Sequence, residues 1–307
     1  MKVLIVCSKT NGKIAPFITE QVESLQPFNL SFDYFFIENK GIKGYLQAFF
    51  ALKQTIKKGE PTLIHAHYGL SGLLANLQRR IPVVTTYHGS DINNPKVKCF
   101  SKIAIRLSQY NIFVSEQLAL KIRYRSCFLV IPCGVNLSLF YPVEKQLARQ
   151  ALGWDTRAKY ILFAGNPEDK VKNFTLAQQA TETLENVYLI PLVNYRREEV
   201  NLLMNAADVA LMTSITEGSP QFIKEAMACN CPIVSTDVGD VNNLISTTDG
   251  CFITSFDKEA VVHSIKAALD FSSTGKRTDG RLKIQGQGID LATVASRINA
   301  IYQLFAQ

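Results

Sequence analysis

The sequence predicts an α/β protein of two doubly wound halves, each a parallel sheet covered by helices on both faces. Three observations carry this. Short apolar runs rich in β-branched and aromatic residues alternate with helical patterns from one end to the other, and such alternation implies parallel strands joined by crossover helices. The rhythm breaks at Ile131-Pro132-Cys133-Gly134-Val135-Asn136-Leu137-Ser138-Leu139-Phe140-Tyr141-Pro142, where two prolines and a glycine mark a link. A chain of 307 residues is long enough for two ordinary domains.

In the first half, Lys2–Cys7, Ser31–Ile37, Leu63–Ala66, Val83–Tyr87, Asn111–Val114 and Phe128–Ile131 read as strands. Ile14–Ser24, Gly44–Lys58, Gly69–Leu77, Lys98–Gln109 and Ser115–Tyr124 read as the helices between them. In the second half the strands are Tyr160–Ala164, Val187–Ile190, Val209–Met212, Pro232–Ser235 and Cys251–Thr254. Its helices are Asn173–Leu184, Glu198–Ala206, Pro220–Ala228, Val241–Ile245 and Asp257–Leu269. Phe271–Gly288, rich in glycine, serine and charge, reads as an exposed connection, and Leu291, Val294, Ile298, Ile301 and Leu304 have the spacing of a closing helix.

Hydrophobic content of 47% with 19% charge describes a folded chain and excludes a disordered one. No apolar run reaches the roughly 20 residues that cross a bilayer, and Met1–Cys7 reads as a first buried strand, not a signal segment. The seven cysteines are scattered, and Cys229-Asn230-Cys231 lacks the two-residue spacing of a redox or zinc motif. They read as reduced core or near-core thiols of a cytoplasmic protein. An excess of 33 Lys+Arg over 26 Asp+Glu gives a net charge of +7, which attracts phosphate-bearing ligands and anionic membrane surfaces. A nucleic-acid partner is not expected, since no aromatic-basic RNA signature or zinc finger is present. Lys98, Lys102 and Arg106 recur on one helix face, with Arg79, Arg80, Lys121, Arg123 and Arg125 elsewhere in the same half. That charge is the basis for expecting peripheral binding to an anionic membrane.

The most informative segment runs from Thr216 through Glu217-Gly218-Ser219-Pro220-Gln221-Phe222-Ile223-Lys224-Glu225-Ala226-Met227-Ala228. Glu217 follows the buried strand Val209–Met212, a Gly-Ser-Pro turn follows, and a helix starts near Pro220. A strand–loop–helix unit of this kind offers a helix N-terminus to an anion. One carboxylate suits a sugar hydroxyl and the other, in the helix with seven residues between them, a ribose diol.

This segment resembles the donor-site motif of the group 1 family of retaining, sugar-nucleotide-dependent glycosyltransferases, which have the GT-B architecture: two Rossmann-like domains with parallel sheets facing across a crevice. The family pattern, a Glu-Gly-x-Pro start and a Glu-Ala-Met-Ala continuation, stands here from Glu217 to Ala228. The link Ile131–Pro142 resembles the family's interdomain segment, with Cys133 and Asn136 as departures. The resemblance implies an N-terminal acceptor domain over 1–140, a nucleotide-sugar donor domain over 141–289, and a closing helix, 290–307, that packs back on the first.

It also implies site residues. After the strand ending at Ala164, Gly165 is followed by Lys170 and Lys172, which match family positions directed at the nucleotide diphosphate. Fixed cations there would stabilise a departing diphosphate without a metal, although Lys lacks the bidentate geometry of the more frequent Arg. With Glu217, Gly218, Ser219 and Glu225 these make the expected donor site, joined by Gly12, the lone glycine of the loop Thr10-Asn11-Gly12-Lys13 where the family has a glycine-rich loop. His88, in Tyr87-His88-Gly89-Ser90-Asp91, matches the family's His-Gly-x-Asp element and is expected, with Glu217, to act at the reacting sugar. Asp91 is open between helix cap and acceptor-site residue. In His65-Ala66-His67, His65 reads as structural and His67 is open between a structural and an acceptor-facing role. Gly239 reads as a tight-turn residue. No metal site and no cofactor are expected; the nucleotide-sugar is a co-substrate.

The expected reaction is transfer of a sugar, with retention, from a nucleotide-sugar to a hydroxyl of a glycan or lipid-linked saccharide. A non-catalytic GT-B paralogue binding a glycan or partner, or a sugar-nucleotide 2-epimerase, are the alternatives. A nicotinamide dehydrogenase is excluded, because neither half has Gly-x-Gly-x-x-Gly after a strand.

Overall fold

The computed structural model describes residues 1–9, 12–38, 41–122 and 127–306. The chain divides into two compact units, one of residues 1–134 with 291–307, the other of residues 135–290.

Unit 1 contains β1 (Lys2–Ser8), α1 (Pro16–Leu25), β2 (Ser31–Ile37), α2 (Gly41–Gly59), β3 (Leu63–His67), α3 (Gly69–Asn76), β4 (Val83–Tyr87), α4 (Ser90–Asn93), α5 (Pro95–Leu107), β5 (Tyr110–Phe113), α6 (Glu116–Leu120) and β6 (Phe128–Val130). Unit 2 follows with α7 (Lys145–Leu152), β7 (Lys159–Phe163), α8 (Phe174–Thr181), β8 (Val187–Pro191), α9 (Arg197–Ala206), β9 (Val209–Met212), α10 (Gln221–Ala228), β10 (Ile233–Thr236), α11 (Val241–Ile245), β11 (Cys251–Thr254), α12 (Lys258–Ser273) and α13 (Gly280–Gly286). The chain then returns to unit 1 as α14 (Leu291–Gln303).

Both sheets are parallel. Their strand orders are β2-β1-β3-β4-β5-β6 in unit 1 and β11-β10-β9-β7-β8 in unit 2. The inner strands are buried on both faces, and their alternate residues feed separate cores. In β1, Val3, Ile5 and Cys7 pack with α1 and α14, while Leu4 and Val6 pack with α2 and α3. In unit 2, Leu162, Ala210 and Met212 pack with α9 and α10, while Ile161, Phe163, Val209 and Leu211 pack with α8 and α12. Each valine, leucine, isoleucine, phenylalanine or methionine side chain among them, fully buried, contributes roughly 1.5–3 kcal/mol.

The structure corrects the sequence reading in four places. Phe271–Gly288 is not an exposed connection: α12 continues to Ser273, α13 occupies Gly280–Gly286, and Ile284 is fully buried. Gly280 lies so close to α10 that a Cβ would stand 2.8 Å from Met227 Cα, and Arg281 donates to the carbonyls of Leu137, Phe140 and Ala228. Composition misled here because the polar residues bond inward to backbone. The helix α7, with Arg149 buried and bound to Asp208, was not expected at all. α5 begins at Pro95, not Lys98, because Asn94 caps it by accepting from the Lys96 amide and proline suits the first turn. Cys99 and Cys127 are exposed, unlike the buried Cys7, Cys133, Cys229 and Cys231. Arg123, Arg125 and the expected end of the Ser115–Tyr124 helix lie outside the described residues, as do Thr10 and Asn11 beside Gly12.

Candidate functional site

In unit 2 the loops after β7, β9 and β10, all at the carboxyl ends of adjacent strands, are strapped to one another. Thr213 donates to the carbonyls of Lys172 and Asn173 at 3.0 Å each. Ile215 N donates to Val171 O, and Thr236 Oγ1 to Ser214 O. Gly239, at φ +62°, passes so near the next loop that a Cβ would stand 2.6 Å from Gly218 O. Only glycine fits both conditions.

On this frame Lys170–Lys172 forms a single 3-10 turn, which turns Lys172 back over Gly165, itself at φ +116°. Lys172 Nζ meets Glu217 Oε1 at 2.6 Å, with both side chains partly open to solvent. Lys170 is exposed. Glu225, in the middle of α10, is nearly buried and accepts from Arg197 Nη1 at 2.7 Å. Arg197, the first residue of α9, also lies over the Phe140 ring at 4.7 Å. The structure therefore gathers Gly165, Lys172, Glu217 and Gly218 into one cluster and sets Glu225 on the adjoining helix.

Sequence reasoning missed two members of this neighbourhood. Arg197 stands 28 residues before its carboxylate, and nothing local joins them. Lys224 is fully buried and donates to Ser219 Oγ at 3.1 Å; burial raises the Asp240 carboxyl pKa beside them, against the opposing effects of Lys224 and the Ser219 hydrogen bond. These groups fix the Gly218-Ser219-Pro220 turn from within. A lysine in an amphipathic helix carries no sequence sign of burial.

In unit 1 the pairing of β3 with β4 brings the ends of both strands together, His67 lying opposite Thr86. His67 Nδ1 and His88 Nε2 share a hydrogen bond at 3.0 Å, and Cys133 Sγ stands 3.5 Å from His88 Nδ1. His65 is buried between Tyr302 of α14 and Thr86, hydrogen-bonded to both, and its ring stacks on His67. Phe17 and Tyr68 pack on the His88 ring, at 4.7 and 4.6 Å. Tyr68 holds φ +72°, an uncommon conformation for an aromatic residue. Burial lowers the pKa of His67 to about 3 and that of His65 well below its ordinary value.

Asp91 is buried and accepts from the amides of Gly69, Gly89 and His88. Burial raises its pKa to about 6, against the opposing effect of those amides. It ties the start of α3 to the turn that carries His88, and it lines a cavity of about 370 Å³ with Tyr45, Tyr68, Ser71, Ser90 and Asn94. Gly12 is exposed at φ +75°, with open space where a Cβ would be, so its geometry requires a turn but not a close approach. Among the described residues no cluster of three or more His, Cys, Asp and Glu is arranged to hold a metal ion, and no helix is long and apolar enough to cross a membrane.

The chain matches two family models in succession, glycosyltransferase family 4 over residues 2–139 and glycosyl transferases group 1 over residues 144–270. It is 26% identical over 248 residues to a glycosyltransferase described for teichuronic acid biosynthesis in Bacillus subtilis (strain 168), covering 70% of this chain and 64% of that protein. It thus spans less than two thirds of that relative. Among solved structures, sucrose-phosphate synthase from Thermosynechococcus elongatus superposes with a TM-score of 0.85 at 19% identity, covering 99% of both chains. Anabaena HepE in complex with UDP superposes with a TM-score of 0.75 at 18% identity, covering 99% of this chain and 100% of that one. The two parallel-sheet units have the GT-B fold, and the chain belongs to the group 1 glycosyltransferases.

Proposed function

We propose that this protein transfers a sugar, with retention of anomeric configuration, from a nucleotide-sugar to a hydroxyl of a glycan or lipid-linked saccharide during polysaccharide or glycoconjugate synthesis. The observation that carries this reading is the Lys172–Glu217 pair, 2.6 Å apart on strapped loops at the carboxyl ends of the unit 2 strands. A diphosphate arriving there competes for the lysine and releases the carboxylate toward a sugar hydroxyl. Lys172, helped by Lys170, then stabilises the charge that builds on the leaving diphosphate, and we propose that no metal is required. Glu225, oriented by Arg197, takes the ribose diol. Unit 2 is the donor domain in this reading and unit 1 the acceptor domain, with His88 and the cavity bordered by Asp91 serving the acceptor or the reacting sugar. The protein supplies orientation and charge and no nucleophile of its own.

The Bacillus subtilis relative is described as a teichuronic acid biosynthesis glycosyltransferase, which favours a glycan or lipid-linked acceptor. The test is a panel of sugar nucleotides, scored for slow hydrolysis without acceptor and repeated in excess EDTA. Release from one donor class, unaffected by chelator, is expected. No release from any donor sinks the transferase reading. Loss with EDTA, restored by a divalent ion, sinks only the role given to the lysines.

A further inference from the structure

We propose that His67 is a positioning residue that holds His88 as its Nδ1–H tautomer, so that His88 meets its ligand as a hydrogen-bond donor through Nδ1 and not as a base. This rests on the reading of unit 1 as a substrate-binding half, and it assigns the chemistry of one group there.

The two nitrogens of His88 have unequal partners. Nε2 faces a ring nitrogen of the fully buried His67 at 3.0 Å, His88 itself being half-buried. Nδ1 faces a thiol at 3.5 Å, a weak contact at sulfur distance. A ligand oxygen can replace the second partner at little cost, but not the first, because His67 is immobilised under His65. Nδ1 is thus the nitrogen open to exchange.

The protonation follows from His67. Its own Nε2 is buried with no hydrogen-bond partner. A proton there would be an orphaned donor, which folded proteins avoid more strictly than an under-used acceptor. The proton of neutral His67 therefore sits on Nδ1 and is donated to His88 Nε2. That leaves the proton of neutral His88 on Nδ1, pointed at Cys133. Protonating His88 on both nitrogens would oppose two N–H groups across 3.0 Å, or force the orphan on His67. The Tyr68 ring and the Asp91 carboxylate, which accepts from the His88 backbone amide, leave this ring-to-ring bond in place. A hydroxyl oxygen of a sugar, or another neutral oxygen acceptor, is the partner class this arrangement selects.

The chain contains four histidines, so long-range ¹H–¹⁵N correlation spectra can resolve each ring. In ligand-free protein at neutral pH, His88 should show a protonated Nδ1 and a bare Nε2. Cys133→Ser should preserve that pattern. His67→Phe, or the more conservative His67→Asn if the first does not fold, removes the constraint; His88 should then populate both tautomers. A wild-type His88 protonated on Nε2 overturns the proposal, as does an unchanged tautomer in both His67 variants. Because the spectra need no substrate, their failure is separate from a failure of the sugar-nucleotide panel, which would remove the functional reading and leave the tautomer result standing.

Discussion

Unit 1 assembles its polar groups as neutral rings and a carboxylate bound by amides, whereas unit 2 assembles ion pairs. His65 and His67 are rings from which burial has removed charge, and His88 stacks on His67, while Lys172–Glu217 and Arg197–Glu225 are ion pairs, the first partly open to solvent and the second with its carboxylate buried. The difference matches the ligands proposed. A diphosphate brings charge and is met by charges that can exchange partners; a hydroxyl acceptor brings none and is met by hydrogen bonds fixed in direction.

The strongest way to break this comparison is to remove charge from unit 2. Lys172→Ala and Glu225→Ala should each weaken nucleotide-sugar binding, the loss of a charged hydrogen bond being worth roughly 1.5–3 kcal/mol, or about tenfold to a hundredfold. His88→Ala should depress turnover more than donor affinity. Unchanged affinity by calorimetry in both unit 2 variants would remove the donor site from where it is placed here; equal losses of turnover and affinity for His88→Ala would make that residue a donor ligand.

A second perturbation tests whether the unit 2 site depends on its loops being strapped together. Gly239→Ala puts a methyl 2.6 Å from Gly218 O at a φ of +62°, and overpacking with backbone strain costs about 1–3 kcal/mol. Urea unfolding should report that loss, and donor affinity should fall with it as the Glu217 turn shifts. A variant of wild-type stability would mean that the two loops separate freely.

Unit 1 is sharpened by pH. The folded pKa of His67, about 3, lies below its unfolded value, so its contribution is complete above about 6.5 and is lost as pH falls toward 3. Asp91 acts in the opposite sense: its pKa, raised from 3.8 to about 6, makes its contribution greatest below 3.8 and lost as pH rises through 6. Comparing wild type with His67→Asn isolates the histidine. Between pH 7.5 and 5.5 the wild type should lose about 1.4 kcal/mol relative to the variant, one unit below the unfolded pKa. Parallel pH profiles in urea unfolding would show that His67 is not held neutral.

These sites differ in how far the sequence disclosed them. Glu217, Glu225, Lys172 and Gly239 were legible because each belongs to a short motif with its own turn or helix signal. The parallel-sheet class was legible as alternation; the strand order, and with it the meeting of the β3 and β4 ends, came only from the fold. Arg197 and Lys224 were not legible, since their roles arise when α9 packs beside α10 and when a helix face turns inward. Nor was the contact of Cys133 with His88, which joins residues 45 apart. Residue type announces chemistry; only packing announces partners.

The smallest expected effect concerns a surface. On α5, Lys102 and Arg106 are exposed together with Phe100 and Ile103, while Lys98 is half-buried. Bulky apolar side chains among cations suit the headgroup layer of an anionic membrane, where the rings enter and the ammonium groups stay among phosphates. We propose reversible attachment of unit 1 by this face. At about 0.1 M salt, where exposed charges are screened beyond roughly 10 Å, changing Lys98, Lys102 and Arg106 together to Gln should lower sedimentation with anionic vesicles. Phe100→Ser with Ile103→Ser should lower it in high salt as well, because apolar insertion is not screened. Equal retention of all forms, or the same binding to neutral vesicles, would leave α5 as an ordinary solvated face and confine the charge argument to unit 2.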